Sequence, residues 1–136
     1  QNGSGELSNI STRGAVSSGE NAMFVGFVLP DDSRRVLIRG GGPILGGFGV
    51  NGFLANPVIT VRNSSNEVVA TNTNWEDNSN SASIALTAAS VGAQPFTTGS
   101  ADSALMLFLA KGAYTVEVSS GDTTTGVVLA EIYRIP

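Results

Sequence analysis

The densest group of potential ligands in the sequence surrounds its single tryptophan: Asn72, Asn74, Glu76, Asp77 and Asn78 flank Trp75. Oxygen-rich loops of this kind can hold Ca²⁺, which takes about six to eight oxygen ligands. Asn74, Glu76 and Asp77 are the weak candidate ligands. The spacing is not that of an EF-hand loop, and no glycine marks a sharp turn. Asn side chains that cap the backbone in Asx-turns are the default reading. No cofactor is therefore expected, with Ca²⁺ as the alternative. Asp31, Asp32 and Asp102 lie in no ligand-like array. Trp75, Tyr114 and Tyr133 could stack on a sugar, but the two tyrosines fall on apolar strand faces and read as core. That leaves Trp75 as a weak glycan candidate.

Other chemistry is poorly supplied. Glu117 and Glu131 meet only the minimum of two carboxylates for glycoside hydrolysis. Gly40-Gly41-Gly42-Pro43 lacks the Gly-Lys-Ser/Thr of a phosphate-binding loop, and Pro43 removes an amide donor. Lys111 could form an isopeptide crosslink to an Asn, but it sits at a Lys-Gly turn rather than at a core-facing strand position. The chain has no His and no Cys, which excludes Ser–His triads, His-ligated metals, thiolate sites and disulfides. We expect no enzymatic activity. Arg13, Arg34, Arg35, Arg39 and Arg62 are expected to pair with acids or to fork onto backbone carbonyls.

The elements that would position these groups follow from composition and pattern. The chain has 136 residues, one ordinary domain over 1–136, with 41% hydrophobic and 13% charged residues. There is enough apolar surface to exclude a charge-rich disordered chain. The net charge of −4 argues against a nucleic-acid partner. No apolar run approaches the ~20 residues of a membrane helix, so no membrane insertion is expected. The first residue is Gln1. With low Lys content and abundant Ser, Thr, Asn and Gly, this suits a protein exported to the cell surface or beyond after removal of a signal peptide.

Gly and Pro punctuate a series of β-rich segments. Strands are expected over Glu6–Thr12, Met23–Leu29, Arg34–Arg39, Pro57–Asn63, Glu67–Thr71, Ser103–Leu109, Ala113–Ser119 and Gly126–Ile135. Gly40–Asn56 reads as irregular. Ala82–Val91 is the only window with helical composition and spacing. The fold class is all-β: an antiparallel sandwich or jelly roll of about eight strands with one short helix.

Three strands are apolar on both faces: Met23–Leu29, Ala104–Leu109 and Val127–Ile135. A two-layer sandwich normally wets its outer faces. Something must cover the surplus. It could be the Gly40–Asn56 loop with Ile44, Leu45, Phe48, Phe53 and Leu54, the short helix, or a neighbouring subunit. For the last, the expected interface residues are Leu7, Ile10, Phe24, Val28, Met106, Phe108, Val128 and Ile132. Residues 1–12 are a candidate assembly arm, polar at first and then strand-like.

The chain also resembles a β-sandwich domain family common in exported bacterial proteins. The residues that carry the resemblance are LSNISTRG, GFVL, RRVLIRGGGPIL, FGVNGFLANP, NTNW, LAKGAYTVEV and TGVVLAEIY, from Leu7 to Tyr133. Lys111 stands where a proline is common. A more distant similarity to the bacterial pre-peptidase C-terminal domain rests on Leu109–Val118 and Gly126–Tyr133. The resemblance implies a sandwich fold and an exported setting, with no catalytic residues. The functional expectation is a structural subunit that assembles with copies of itself into a filament or surface layer, by strand addition and apolar packing. The alternative is a secreted carbohydrate-binding or adhesive module with a glycan partner.

Overall fold

Alternation with period 2 builds eight strands in the computed structural model, which describes residues 9–17 and 21–136. The strands are β1 (Asn9–Val16), β2 (Met23–Leu29), β3 (Arg34–Gly41), β4 (Pro57–Asn63), β5 (Val68–Asn72), β6 (Ser103–Leu109), β7 (Gly112–Ser120) and β8 (Gly126–Ile135). They form two four-stranded antiparallel sheets, ordered β1-β8-β3-β6 and β2-β7-β4-β5. The sandwich expected from the sequence is thus the fold.

Between the sheets lies the main core. Val36 and Ile38 of β3, Val128, Ala130 and Ile132 of β8, and Leu105 and Leu109 of β6 face Phe27, Leu29, Ile59, Val61, Val116 and Val118 of the other sheet. Each fully buried aliphatic side chain contributes about 1.5–3 kcal/mol relative to exposure. A second cluster covers the outer face of the first sheet. There the helix α2 (Ser81–Ser90) and the 3₁₀ turn Trp75–Asp77 pack Ile84, Ala88 and Trp75 onto Leu37, Ala104 and Tyr133. Of the internal covers considered, the short helix lies on that face.

The loop from Gly40 to Asn56 has another task. Leu54 joins the main core, and Leu45 is fully buried. The amide of Leu54 donates to Val127, and the amide of Val127 donates to Gly52, so residues 52–54 run beside β8 beyond the end of β3. Gly126 permits this close approach: a Cβ there would meet the Phe53 and Leu54 backbone at 2.5–2.7 Å.

Several boundaries differ from the sequence expectation for physical reasons. The first strand continues past Arg13-Gly14 to Val16, because Gly14 leaves room for Met23, whose sulfur would lie 2.8 Å from a Cβ. Its expected start at Glu6–Ser8 lies outside the described residues. Within the loop, Pro43–Gly46 makes one helical turn, α1. Proline presets the first helical residue, and the buried Asp102 carboxylate accepts the amides of Gly42 and Ile44 at 2.9 and 3.1 Å. No helix among the described residues is long and apolar enough to cross a membrane.

Candidate functional site: the sheet edges

Among the described residues each sheet has two edge strands, and the start of β6 is already capped, with the Ala104 amide donating to Asn72 and its carbonyl accepting from Asn78. β1 and β6 flank the first sheet, and β2 and β5 flank the second. Soluble monomers blunt such edges with Lys, other charges, Pro or bulges. Here the distribution is inverted. Among the described residues, Arg13 is the one charged side chain in the four edge strands. The interior strands carry Arg34, Arg35, Arg39, Arg62, Glu117, Glu131 and Arg134.

The edges also hold most of the exposed large apolar side chains. Phe24 and Val28 on β2 are 61% and 62% exposed, and Phe108 on β6 is 72% exposed. Val68 and Val69 on β5 are exposed as well. The remaining members are Phe48 and Phe53 in the loop and Leu86 on α2. Ile10 of β1 packs partly against the core. Together with Phe27, Val28 and Ile132 it lines a recess of about 200 Å³ between the sheets, on the side where β1 and β2 lie close together. Met106 is partly buried against the second core cluster.

The sequence-derived interface set therefore divides. Phe24, Val28 and Phe108 are on the surface, and Ile10 and Met106 are partly so. Val128 and Ile132 require correction: both point into the main core, at 0% and 2% exposure. Strand alternation separates two faces without saying which is inside. β8 is a central strand, and its Val128-Ala130-Ile132 face sits beside Val36 and Ile38. Leu7 lies outside the described residues. Of the assembly arm expected over 1–12, residues 9–12 pair in register with β8 of their own chain, and residues 1–8 lie outside the described residues. Val68 and Val69 were missed. The signal was available, since the short return strand Val68-Val69-Ala70 carries no charge.

Around Trp75 the polar residues serve the backbone. Asn72 donates to the Asn74 carbonyl and accepts from the Ala104 amide, and Asn78 donates to the carbonyls of Trp75 and Ala104. The Glu76 carboxylate accepts the Gly99 amide. Asn74 reaches Asp77 at 3.5 Å. No group of three or more metal-ligating carboxylates forms among the described residues. Trp75 itself is only 8% exposed, with its indole N–H aimed at the Thr97 carbonyl at 3.4 Å. This corrects the expectation of an exposed stacking platform: the ring is a cover for Leu37, tilted against Phe96. Tyr133 is buried, and Tyr114 stacks on Phe27.

The buried charge belongs to the same outer layer. Arg39 of β3 stands opposite Glu131 of β8, with Nε 3.1 Å from Oε1 at an angle too poor for a hydrogen bond. Its Nη2 donates to the Gln94 carbonyl at 2.7 Å, and its guanidinium lies 3.9 Å from the centre of the Phe96 ring. Tyr133 donates to the other oxygen of Glu131 at 2.6 Å. Burial lowers the Arg39 pKa, with Glu131, Tyr133 and Asp102 opposing that shift. Arg39 fastens the segment over Gln94–Phe96 to the sheet. A second pair, Arg62 and Glu117 at 3.5 Å, lies on the half-exposed outer face of the other sheet. Both pairings follow the sequence expectation for the arginines.

No family model matches the chain, and no curated protein matches it either. Among solved structures, the pre-peptidase C-terminal domain of a collagenase from Bacillus anthracis is similar, with a TM-score of 0.56 at 10% identity. The likeness covers 91% of this chain and 88% of that one. It shows the sandwich fold and agrees with the distant resemblance expected from the sequence.

Proposed function

We propose that this domain is an exported structural module that assembles with copies of itself along its open sheet edges, as a subunit of an extracellular filament or surface layer. One observation carries the reading: the edge strands are nearly free of charge and expose Phe24, Val28, Val68, Val69 and Phe108. An edge of this kind is a template for another strand. Apolar side chains beside it add area that association removes from water. The fold shared with a domain of a bacterial collagenase supports an exported setting.

Sedimentation velocity tests the reading. The unmodified chain should sediment as a concentration-dependent series of large species. Phe24→Lys and Val28→Lys place a charge on an edge without disturbing the core, since both side chains are mostly exposed. Each should keep the β-sheet circular dichroism spectrum and shift the protein to monomer. Unchanged polymers in both variants would exclude the β2 edge from assembly.

A further inference from the structure

Within the loop between β3 and β4, the exposed turn at Asn51-Gly52 joins two fastened points. We propose that Asn51 is a site of spontaneous deamidation, with water as the co-reactant, and that its conversion to isoaspartate unfastens residues 52–54 from β8. This holds for a single copy, whether or not copies assemble.

The chemistry comes from the residue pair and its surroundings. Asn51 is exposed, and its side chain makes no hydrogen bond among the described residues. The Gly52 amide has no acceptor among them either. Gly52 has a φ of +75°, and a Cβ there would meet nothing within 4 Å, so the space around its nitrogen is open. Without a side chain, glycine lets its backbone come close to a reacting centre. The Gly52 nitrogen attacks Asn51 Cγ. The N–Cγ bond forms and the Cγ–Nδ2 bond breaks. The side-chain nitrogen leaves as ammonia, carrying the proton that the backbone nitrogen gives up. Water then opens the cyclic imide. Opening at Cγ gives aspartate. Opening at the main-chain carbonyl gives isoaspartate, whose chain continues through Cβ and Cγ. Asn63, Asn72, Asn74 and Asn78, by contrast, are held by hydrogen bonds, and none of them precedes a glycine. The other Asn-Gly pair, Asn2-Gly3, lies outside the described residues.

The structural effect follows from what the turn spans. On one side the Val50 amide donates to the Leu45 carbonyl at 3.1 Å, and on the other the Gly52 carbonyl accepts from the Val127 amide at 2.9 Å. Leu45 and Leu54, beyond these bonds, are fully buried. Asn51 is the residue between them. Isoaspartate inserts one more carbon into the main chain directly before Gly52 and replaces a neutral amide by a carboxylate. A span fixed at both ends takes up the extra length by giving up a bond. The Gly52–Val127 bond is the one directly after the insertion.

Incubation of the folded protein in mildly alkaline buffer, followed by tryptic digestion, tests the site. Cleavage after Arg39 and Arg62 releases residues 40–62, with Asn51 and Asn56 as their asparagines. Asn56 precedes Pro57, which has no N–H to close the ring, so a change in this peptide reports Asn51. Relative to an unaged digest, the peptide should gain the mass of an NH2-to-OH exchange and become a substrate for isoaspartyl methylation. Asn51→Gln should show neither. A peptide that stays unchanged in the folded protein but converts in urea would overturn the proposal, because the turn would then protect Asn51. Hydrogen exchange at the Val127 amide tests the unfastening. It should be faster in the isoaspartate fraction than in unaged protein, and unchanged in freshly prepared Asn51→Asp, which has the charge without the added carbon. Equal protection in all three would overturn the unfastening.

Discussion

Arg39 and Glu131 meet on the middle strands of a sheet, under a layer of loop and helix that keeps them from water. A buried pair of this kind does not by itself add stability, because desolvation offsets much of the attraction. Its effect is positional: the guanidinium holds Gln94 and Phe96, and the carboxylate holds the Tyr133 hydroxyl. Burial, then the hydrogen bond to Glu131 and that carboxylate's charge, push the Tyr133 phenol up to about 12, with Arg39 acting in the opposite direction. The unfolded chain should titrate this group near 10.0. A raised folded value means that the neutral phenol is favoured by folding. Its contribution is therefore complete below about pH 10 and is lost as pH rises through about 12. Urea denaturation between pH 9 and 12 should show falling stability, and Tyr133→Phe should remove part of that slope. An identical slope in the variant would detach Tyr133 from alkaline unfolding. Sequence patterning gave the acid–arginine pairing in kind. It could not name Gln94 or Phe96 as the partners of Arg39, because those contacts span 55 or more positions and depend on how a loop folds back.

At the scale of elements, α2 is what allows β3, β6 and β8 to be apolar on both faces. Ile84, at 2% exposure, is its anchor onto Leu37, Ala104 and Tyr133. Ile84→Ala should cost about 2–5 kcal/mol, the range for deleting a buried aliphatic side chain. Thermal unfolding followed by circular dichroism measures the loss. A change near zero would mean that the helix is not needed to seal that face. The strands themselves were legible in the sequence: Met23–Leu29, Pro57–Asn63, Ser103–Leu109 and Gly126–Ile135 appear with the expected limits. Their β-branched and aromatic runs end at strong turn residues. Which strands lie at the edge was not legible, because order within a sheet is set by long-range pairing. Hence Val68 and Val69 of the short edge strand β5 do not stand out in the sequence, whereas Val128 and Ile132 read as surface because alternation does not say which face of β8 is inward. The helical turn at Pro43–Gly46 was hidden for a similar reason: its cap, Asp102, comes from about 60 residues away.

For the whole molecule, the organising feature is the placement of charge. The interior strands carry the arginines and acids, and the edges carry exposed Phe and Val. Most edge-protected sandwiches do the reverse. The core between the sheets and the second layer under α2 are both built within one copy. Among the described residues the exposed edge side chains have no comparable cover within a single copy, and under the proposed function copies of the same chain would supply it. Negative-stain electron microscopy of the unmodified protein at neutral pH tests this most directly. The account predicts elongated polymers that are absent from the Phe24→Lys variant. A field of separate 13.9 kDa particles at every concentration, for the unmodified chain as for the variant, would contradict it.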